Sequence, residues 1–138
     1  ADETLALPGV VELLHSLPLG IWTICTSANS NLGRARIKAA GLPIPEQLVT
    51  GDDVEHGKPA PDPYLLGAKR LGFDAGDCIV FEDADAGVKA ALAAGAAFVV
   101  GVSVRALETD ADIVVEDLVG ISFDGKQLVI PEEKIIRR

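Results

Sequence analysis

Apolar residues in this chain come in two alternating forms, one-sided helical stripes and short unbroken runs. Val10, Val11, Leu13, Leu14 and Leu17 share one face of a predicted helix over residues 8–17, with Pro8 suited to its first turn. Residues 21–25 (IWTIC) are a continuous, partly β-branched run, the pattern of a strand buried on both faces. The run stops at the small polar loop Thr26-Ser27-Ala28-Asn29, after which Asn31 is positioned to cap a helix reaching Ala40 and ending at Gly41. A weak strand over 47–50 closes on Gly51-Asp52-Asp53, and the prolines of Gly57-Lys58-Pro59-Ala60-Pro61 exclude helix or central strand there. A further helix has Asp62 as its cap, Pro63 in its first turn and Gly72 at its end. Residues 78–81 (CIVF) are a second buried-type strand that meets the acidic pair Glu82-Asp83. An Ala-rich helix over 85–94 closes at Gly95, residues 98–100 and 113–115 are two more strands, and 121–130 alternates around Asp124-Gly125 as a hairpin does.

Strands alternating with helices predict an α/β fold with a doubly wound parallel sheet and right-handed crossovers, followed by the C-terminal β-hairpin. The length of 138 residues suits one domain with a single core, here 1–138. With no Met and 4% aromatic residues, that core must be built from Ala, Val, Leu and Ile. A net charge of −9 repels a nucleic-acid backbone, and the terminal basic pair, Arg137-Arg138, reads as a frayed tail. No apolar stretch reaches the length of a membrane span, and residues 1–7 are short and acidic rather than a signal peptide. Cys25 and Cys78 each lie in an apolar run without metal-ligand spacing, as in a reduced compartment, so a cytoplasmic location is expected. Nothing in the pattern bears on oligomeric state.

In a parallel sheet, ligands bind at the C-terminal ends of the strands, where the polar clusters that follow the predicted strands fall. Thr26-Ser27 follows the first strand, Lys58 sits in the proline-stiffened loop after the second, and Glu82-Asp83 follows the third. Taken singly, these are ordinary: a strand-end hydroxyl, a solvated lysine, and acids that complement a helix dipole. Together, a hydroxyl with free backbone N–H groups, an ammonium and two adjacent carboxylates make a site for phosphate and Mg²⁺. Mg²⁺ takes one or two carboxylates and completes its shell with water and phosphate oxygens. Lys58 would balance the phosphoryl charge and the Thr26 hydroxyl would donate to it. The cation also explains how an acidic protein accepts an anionic substrate.

The stretch from Gly51-Asp52-Asp53 through Gly57-Lys58-Pro59-Ala60-Pro61-Asp62-Pro63-Tyr64-Leu65 is followed by Val80-Phe81-Glu82-Asp83-Ala84-Asp85-Ala86-Gly87 and then by Ala94-Gly95. It resembles haloacid dehalogenase-like (HAD) phosphatases of the kind that carry a cap domain after the first strand. It is most similar to the 2-deoxyglucose-6-phosphate and glycerol-3-phosphate phosphatase branch, and more distantly to β-phosphoglucomutase. The resemblance covers roughly residues 7–115 and implies a Rossmann-like core and a Mg²⁺-dependent phosphatase of small sugar or polyol phosphates. It also implies roles. Thr26 and Lys58 would be catalytic; Thr26, Ser27, Ala28 and Lys58 would contact phosphate; Glu82 and Asp83 would hold Mg²⁺; and Asp52 would be a secondary acid near the site. His56 lies where relatives vary and is read as a surface or substrate-edge residue.

One departure is large. The family's first motif, D-x-D-G-T at the end of a central strand, supplies the nucleophilic aspartate and the acid/base aspartate. No such motif occurs in the chain. Asp83-Ala84-Asp85-Ala86-Gly87 imitates it, but then Lys58 would precede the nucleophile, against the family's order. The expectation is therefore an N-terminally truncated chain that lacks the cap and the first central strand and is inactive alone. Two other readings stand beside it: a non-catalytic pseudo-phosphatase or phosphate- and Mg²⁺-binding fragment, and a receiver-type signalling domain, whose acids precede its hydroxyl and lysine rather than follow them.

Overall fold

A computed structural model describes residues 7–18 and 20–138. Its helices are α1 (Val10–Ser16), α2 (Ser30–Ala39), α3 (Asp62–Leu71) and α4 (Asp85–Ala93). Its strands are β1 (Ile79–Glu82), β2 (Phe98–Val102), β3 (Ile113–Val115), β4 (Ser122–Phe123), β5 (Leu128–Val129) and β6 (Ile135–Arg137). The main sheet has the order β1-β2-β3-β6, parallel from β1 to β3, with β6 added antiparallel at the edge. β4 and β5 form the expected hairpin.

Consecutive strand residues point to opposite faces, and the valines of this sheet use both. Val100, Val102 and Val115 pack with Val10 and Leu13 of α1 and Ile37 of α2. Val80, Val99 and Val114 pack on the other side with Val88 and Ala91 of α4. Helices thus cover both faces, which makes the sheet doubly wound. Among the described residues no helix is long and apolar enough to cross a membrane.

The structure departs from the sequence expectation at several points. Residues 21–25 do not form a regular strand. Only Cys25 enters a ladder, as an isolated parallel bridge to Val49, with Val49 N donating to Ile24 O at 3.0 Å and Thr26 N donating to Val49 O at 2.9 Å. The expected weak strand over 47–50 contracts to the same bridge. A run this apolar needs a neighbour on each side, and it has one. The C-terminus is not a frayed tail, because Arg137 and its two predecessors form β6, anchored where Arg137 Nη2 donates to Thr109 O at 2.7 Å. The cap of α2 is Asn29, whose Oδ1 accepts from Leu32 N at 2.9 Å, whereas Asn31 lies inside the helix. Asp62 likewise lies inside α3, after an N-cap at Pro61. α1 starts late because Gly9 has φ +92° and its Cα faces the chain at Leu118, where a Cβ would lie 2.2 Å from the carbonyl carbon.

Among the described strands, β1 pairs with β2 alone. Between its open edge and residues 21–25 runs a groove of about 510 Å³, lined among others by Trp22, Ile24, Ile79, Phe81 and Leu128. Ile79 remains 43% exposed there. No ladder joins residues 21–25 to β1. Lys58, Tyr64 and Glu82 also line the groove, with Glu82 at the C-terminal end of β1.

Candidate phosphate and metal site

β1 ends one residue later than the sequence pattern suggests, on Glu82, with Asp83 next. Both are buried, at 7% and 2% exposure. A carboxylate is hard to bury without partners, and the fold supplies them from distant loops. Tyr64 in the first turn of α3 donates its hydroxyl to Glu82 Oε2 at 2.9 Å. Lys58 Nζ donates to the same oxygen at 3.3 Å and to Cys25 O at 2.9 Å. The ammonium also lies 5.1 Å from the centre of the Tyr64 ring. Lys58 therefore joins the two sides of the groove. Room for the Glu82 carboxylate comes from Gly87 of α4, where a Cβ would lie 2.0 Å from Oε1. Burial pushes the Glu82 carboxyl above its ordinary range, against the opposing pull of the Lys58 charge and the Tyr64 hydrogen bond. Asp83 faces Arg105, whose Nη1 lies 3.2 Å from Oδ2.

The loop after residues 21–25 is held from below. Thr26 is buried, its Oγ1 accepts from Ala28 N at 3.1 Å, and its methyl lies over Gly33 of α2, where a Cβ would come within 2.9 Å. Ala28 O accepts from Gly51 N at 2.7 Å, which ties this loop to the turn Gly51–Asp53. Asp52 Oδ2 accepts from Ser30 N at 2.8 Å, the start of α2. Ser27 is exposed.

Of the residues singled out from the sequence, Lys58 and Glu82 meet directly, Asp83 adjoins Glu82, and Thr26 follows the carbonyl that Lys58 holds. Asp52 serves the N-terminus of α2 instead. His56 Nδ1 lies 3.5 Å from Asp62 Oδ2 on the surface. Tyr64 and Arg105 were not foreseen as site residues. Tyr64 had a signal, since it opens the helix that follows the Lys58 loop. Arg105 had none, because only the packing of the loop after β2 brings it to Asp83.

A model of the haloacid dehalogenase-like hydrolase family matches residues 1–95. The chain belongs to this family. It is 54% identical over 92 residues to hexitol phosphatase A of Escherichia coli (strain K12), an overlap covering 65% of this chain and 43% of that protein. It is 35% identical over 104 residues to glycerol-1-phosphate phosphohydrolase 2 of Saccharomyces cerevisiae, covering 68% of this chain and 42% of that protein. A solved hydrolase from Pseudomonas syringae matches with a TM-score of 0.70 at 34% identity, over 81% of this chain and 57% of that one. This HAD-family chain thus spans less than half the length of those two curated relatives.

The donors suit Mg²⁺ by their chemistry. Glu82 and Asp83 offer hard carboxylate oxygens, and Asp83 already faces a cationic group. Among the described residues, no three His, Cys, Asp or Glu side chains gather as a ready metal cluster. Glu82 and Asp83 are the residues that would hold such an ion, with water and phosphate oxygens as its other ligands.

Proposed function

We propose that this chain is the phosphate- and Mg²⁺-holding part of a phosphatase that hydrolyses small sugar or polyol phosphate monoesters, and that alone it does not turn over. The observation that carries the reading is the Lys58 ammonium, held at the C-terminal end of β1 between Cys25 O and the Glu82 carboxylate. Its side chain is 9% exposed, so little water screens its charge. Lys58 would neutralise a phosphoryl oxygen arriving at this end of the groove. The Thr26 hydroxyl and the Ser27 backbone would orient that group, while the Ala28 N–H is already given to Thr26 Oγ1. Mg²⁺ on Asp83 and Glu82 would supply charge neutralisation on the opposite side. The relatives named for hexitol and glycerol-1-phosphate support the substrate class.

The groove beside β1 is the proposed seat of the family's first-motif strand. It has an open strand edge on one side, a strand-like segment on the other and the charged residues at its end. The motif D-x-D-G-T is absent from these 138 residues. Without a nucleophilic aspartate, Thr26, Lys58, Glu82 and Asp83 can hold a phosphate but cannot form the covalent phosphoryl intermediate. Loss of a nucleophile from comparable machinery lowers turnover by about 10⁶.

The test compares three samples against a panel of hexitol, hexose and glycerol phosphates, with and without Mg²⁺. The samples are this chain, a full-length protein bearing the first motif, and this chain mixed with the missing part. Mg²⁺-dependent hydrolysis by the full-length protein and none by the chain is expected. Full activity in the chain alone would show the nucleophile to be among these residues, with Asp83 and Asp85 first to examine. An inactive full-length protein that still binds phosphate would favour a non-catalytic binding protein, the reading suggested by the absent motif.

A further inference from the structure

We infer that Arg105 is a tethered counter-cation of Asp83, which a divalent cation must displace, so that this arginine sets the metal affinity of the site. The inference rests on the metal role proposed for Asp83 and adds a residue that no site motif contains. Asp83 has a side chain 3% exposed, and Arg105 Nη1 lies 3.2 Å from its Oδ2. The Arg105 side chain is 49% exposed. One partner is thus fixed and dry while the other reaches in from solvent.

The backbone carrying Arg105 is held firmly. It lies in the short 3-10 turn Val104–Ala106 directly after β2. Ser103 N donates to Val115 O at 2.8 Å, Ala106 N donates to Ser103 O at 3.0 Å, and Ser103 Oγ accepts from Arg105 N at 3.3 Å. Ala106 is fully buried over Gly101 of β2, where a Cβ would come within 2.8 Å of the Ala106 methyl. The turn cannot move away as a unit without opening this contact. The side chain is half-exposed, so it can leave Asp83 without moving this backbone.

A guanidinium and a divalent ion compete for the same anionic oxygens and repel one another at contact distance. In the metal-free protein the guanidinium pairs with the buried Asp83 side chain. When the ion arrives, the guanidinium returns to water, where it is well solvated. Part of the ion's binding energy is therefore offset by breaking the pair. Since Arg105 is half in solvent, the competition is screened, and its removal should strengthen metal binding by about tenfold.

Mn²⁺ serves as the probe, with the free ion counted by its electron paramagnetic resonance signal during titration of this chain. Arg105→Ala and the uncharged but still polar Arg105→Gln should both bind Mn²⁺ about tenfold more tightly than the native chain, whereas Arg105→Lys should stay near it. Gln keeps the test alive if Ala folds poorly. A purely structural arginine would not produce the companion result. Without divalent ions both uncharged variants should melt below the native chain, and saturating Mn²⁺ should close or reverse that gap. Unchanged or weaker Mn²⁺ binding in both uncharged variants would overturn the inference, as would a melting gap that Mn²⁺ leaves untouched. Asp83→Asn separates the two readings. If it abolishes Mn²⁺ binding while the Arg105 variants show no gain, only the inference falls. If Mn²⁺ binds equally well to Asp83→Asn, the metal role of Asp83 falls and the inference falls with it.

Discussion

Gly87→Ala tests the packing of the site with one methyl group. Gly87 is an ordinary α4 residue by backbone conformation, so alanine meets no φ strain there. The new Cβ would instead lie 2.0 Å from Oε1, 2.1 Å from Cδ and 2.2 Å from Oε2 of Glu82. A carboxylate at the end of a free side chain would step aside cheaply. This one is held by Tyr64 at 2.9 Å and Lys58 at 3.3 Å, in a pair whose two side chains are each 9% exposed. Removing one member of a buried charge pair costs about 3–5 kcal/mol, and a hydrogen bond to a charged group contributes about 1.5–3 kcal/mol. Alanine displaces the carboxylate without deleting it, so a fraction of these costs applies. Gly87 lies in the first turn of α4, so the Gly-to-Ala change returns at most the helix-interior value of about 1 kcal/mol. The net loss should be about 1–3 kcal/mol, or about 3–10 °C in melting temperature for a chain of this size. Urea unfolding of four proteins checks it: native, Gly87→Ala, Glu82→Ala, and the double variant. In the Glu82→Ala background the same alanine should be neutral or stabilising by up to about 1 kcal/mol. If Gly87→Ala is harmless while Glu82 is present, the carboxylate is not where the structure has it.

Three further outcomes are expected. Glu82 titrates above its ordinary 4.5 because burial disfavours its charge, so the folded state holds that proton more tightly than the unfolded state does. Its stabilising contribution is then greatest at low pH and falls as pH rises through the window between the two pKa values. Urea unfolding from about pH 4 to about pH 7 should therefore show the native chain losing stability relative to Glu82→Gln, and a gain with rising pH would refute the sign. Burial pushes the Cys25 thiol up to about 12. Iodoacetamide at about pH 8 should thus alkylate Cys78 well before Cys25, and equal rates would contradict the burial. Ser103 has φ 75° and ψ 168°, a backbone region that only glycine adopts easily. Ser103→Gly should stabilise by about 1 kcal/mol after loss of the Arg105 N–H bond, and a destabilised variant would show the turn to be unstrained.

What the sequence made legible follows from how local each signal is. The α3 and α4 helices have apolar stripes and the glycine terminators Gly72 and Gly95, and both appear close to the expected ends. β1, β2 and β3 are dense in valine and isoleucine, and each appears within a residue or two. Residues 21–25 have an equally strong pattern and yet make only one bridge, because a strand exists through its neighbours and a run of side chains cannot supply them. The opposite error occurred at β6. Ile135 and Ile136 lie among charges, so the pattern there is faint. The ladder on β3, the Arg137 hydrogen bond to Thr109 and the Lys134 pair with Asp117 at 2.6 Å hold the segment. Within the site, Lys58, Glu82 and Asp83 stood out because charges beside apolar strands are conspicuous. Tyr64 and Arg105 look like surface residues in sequence, and only the crossovers show which buried charge each one meets.

Both carboxylates at the end of β1 are answered by cations from other loops, and this pairing explains why the site and the fold are hard to separate. Two adjacent buried anions in a chain of net charge −9 would be strongly disfavoured if left to each other. Lys58 comes from the loop before α3 and meets Glu82; Arg105 comes from the turn after β2 and meets Asp83. The two cations are not equivalent. Lys58 is as dry as its partner and has a second acceptor in Cys25 O, so it also fastens residues 21–25 across the groove. Arg105 is half in water, at 49% side-chain exposure. A ligand that replaced Lys58 would have to satisfy a carbonyl and a dry carboxylate together, whereas the guanidinium of Arg105 already reaches solvent. This difference in exposure is why, in the proposed reading, Lys58 is the cation that stays to meet a phosphate and Arg105 the one that yields.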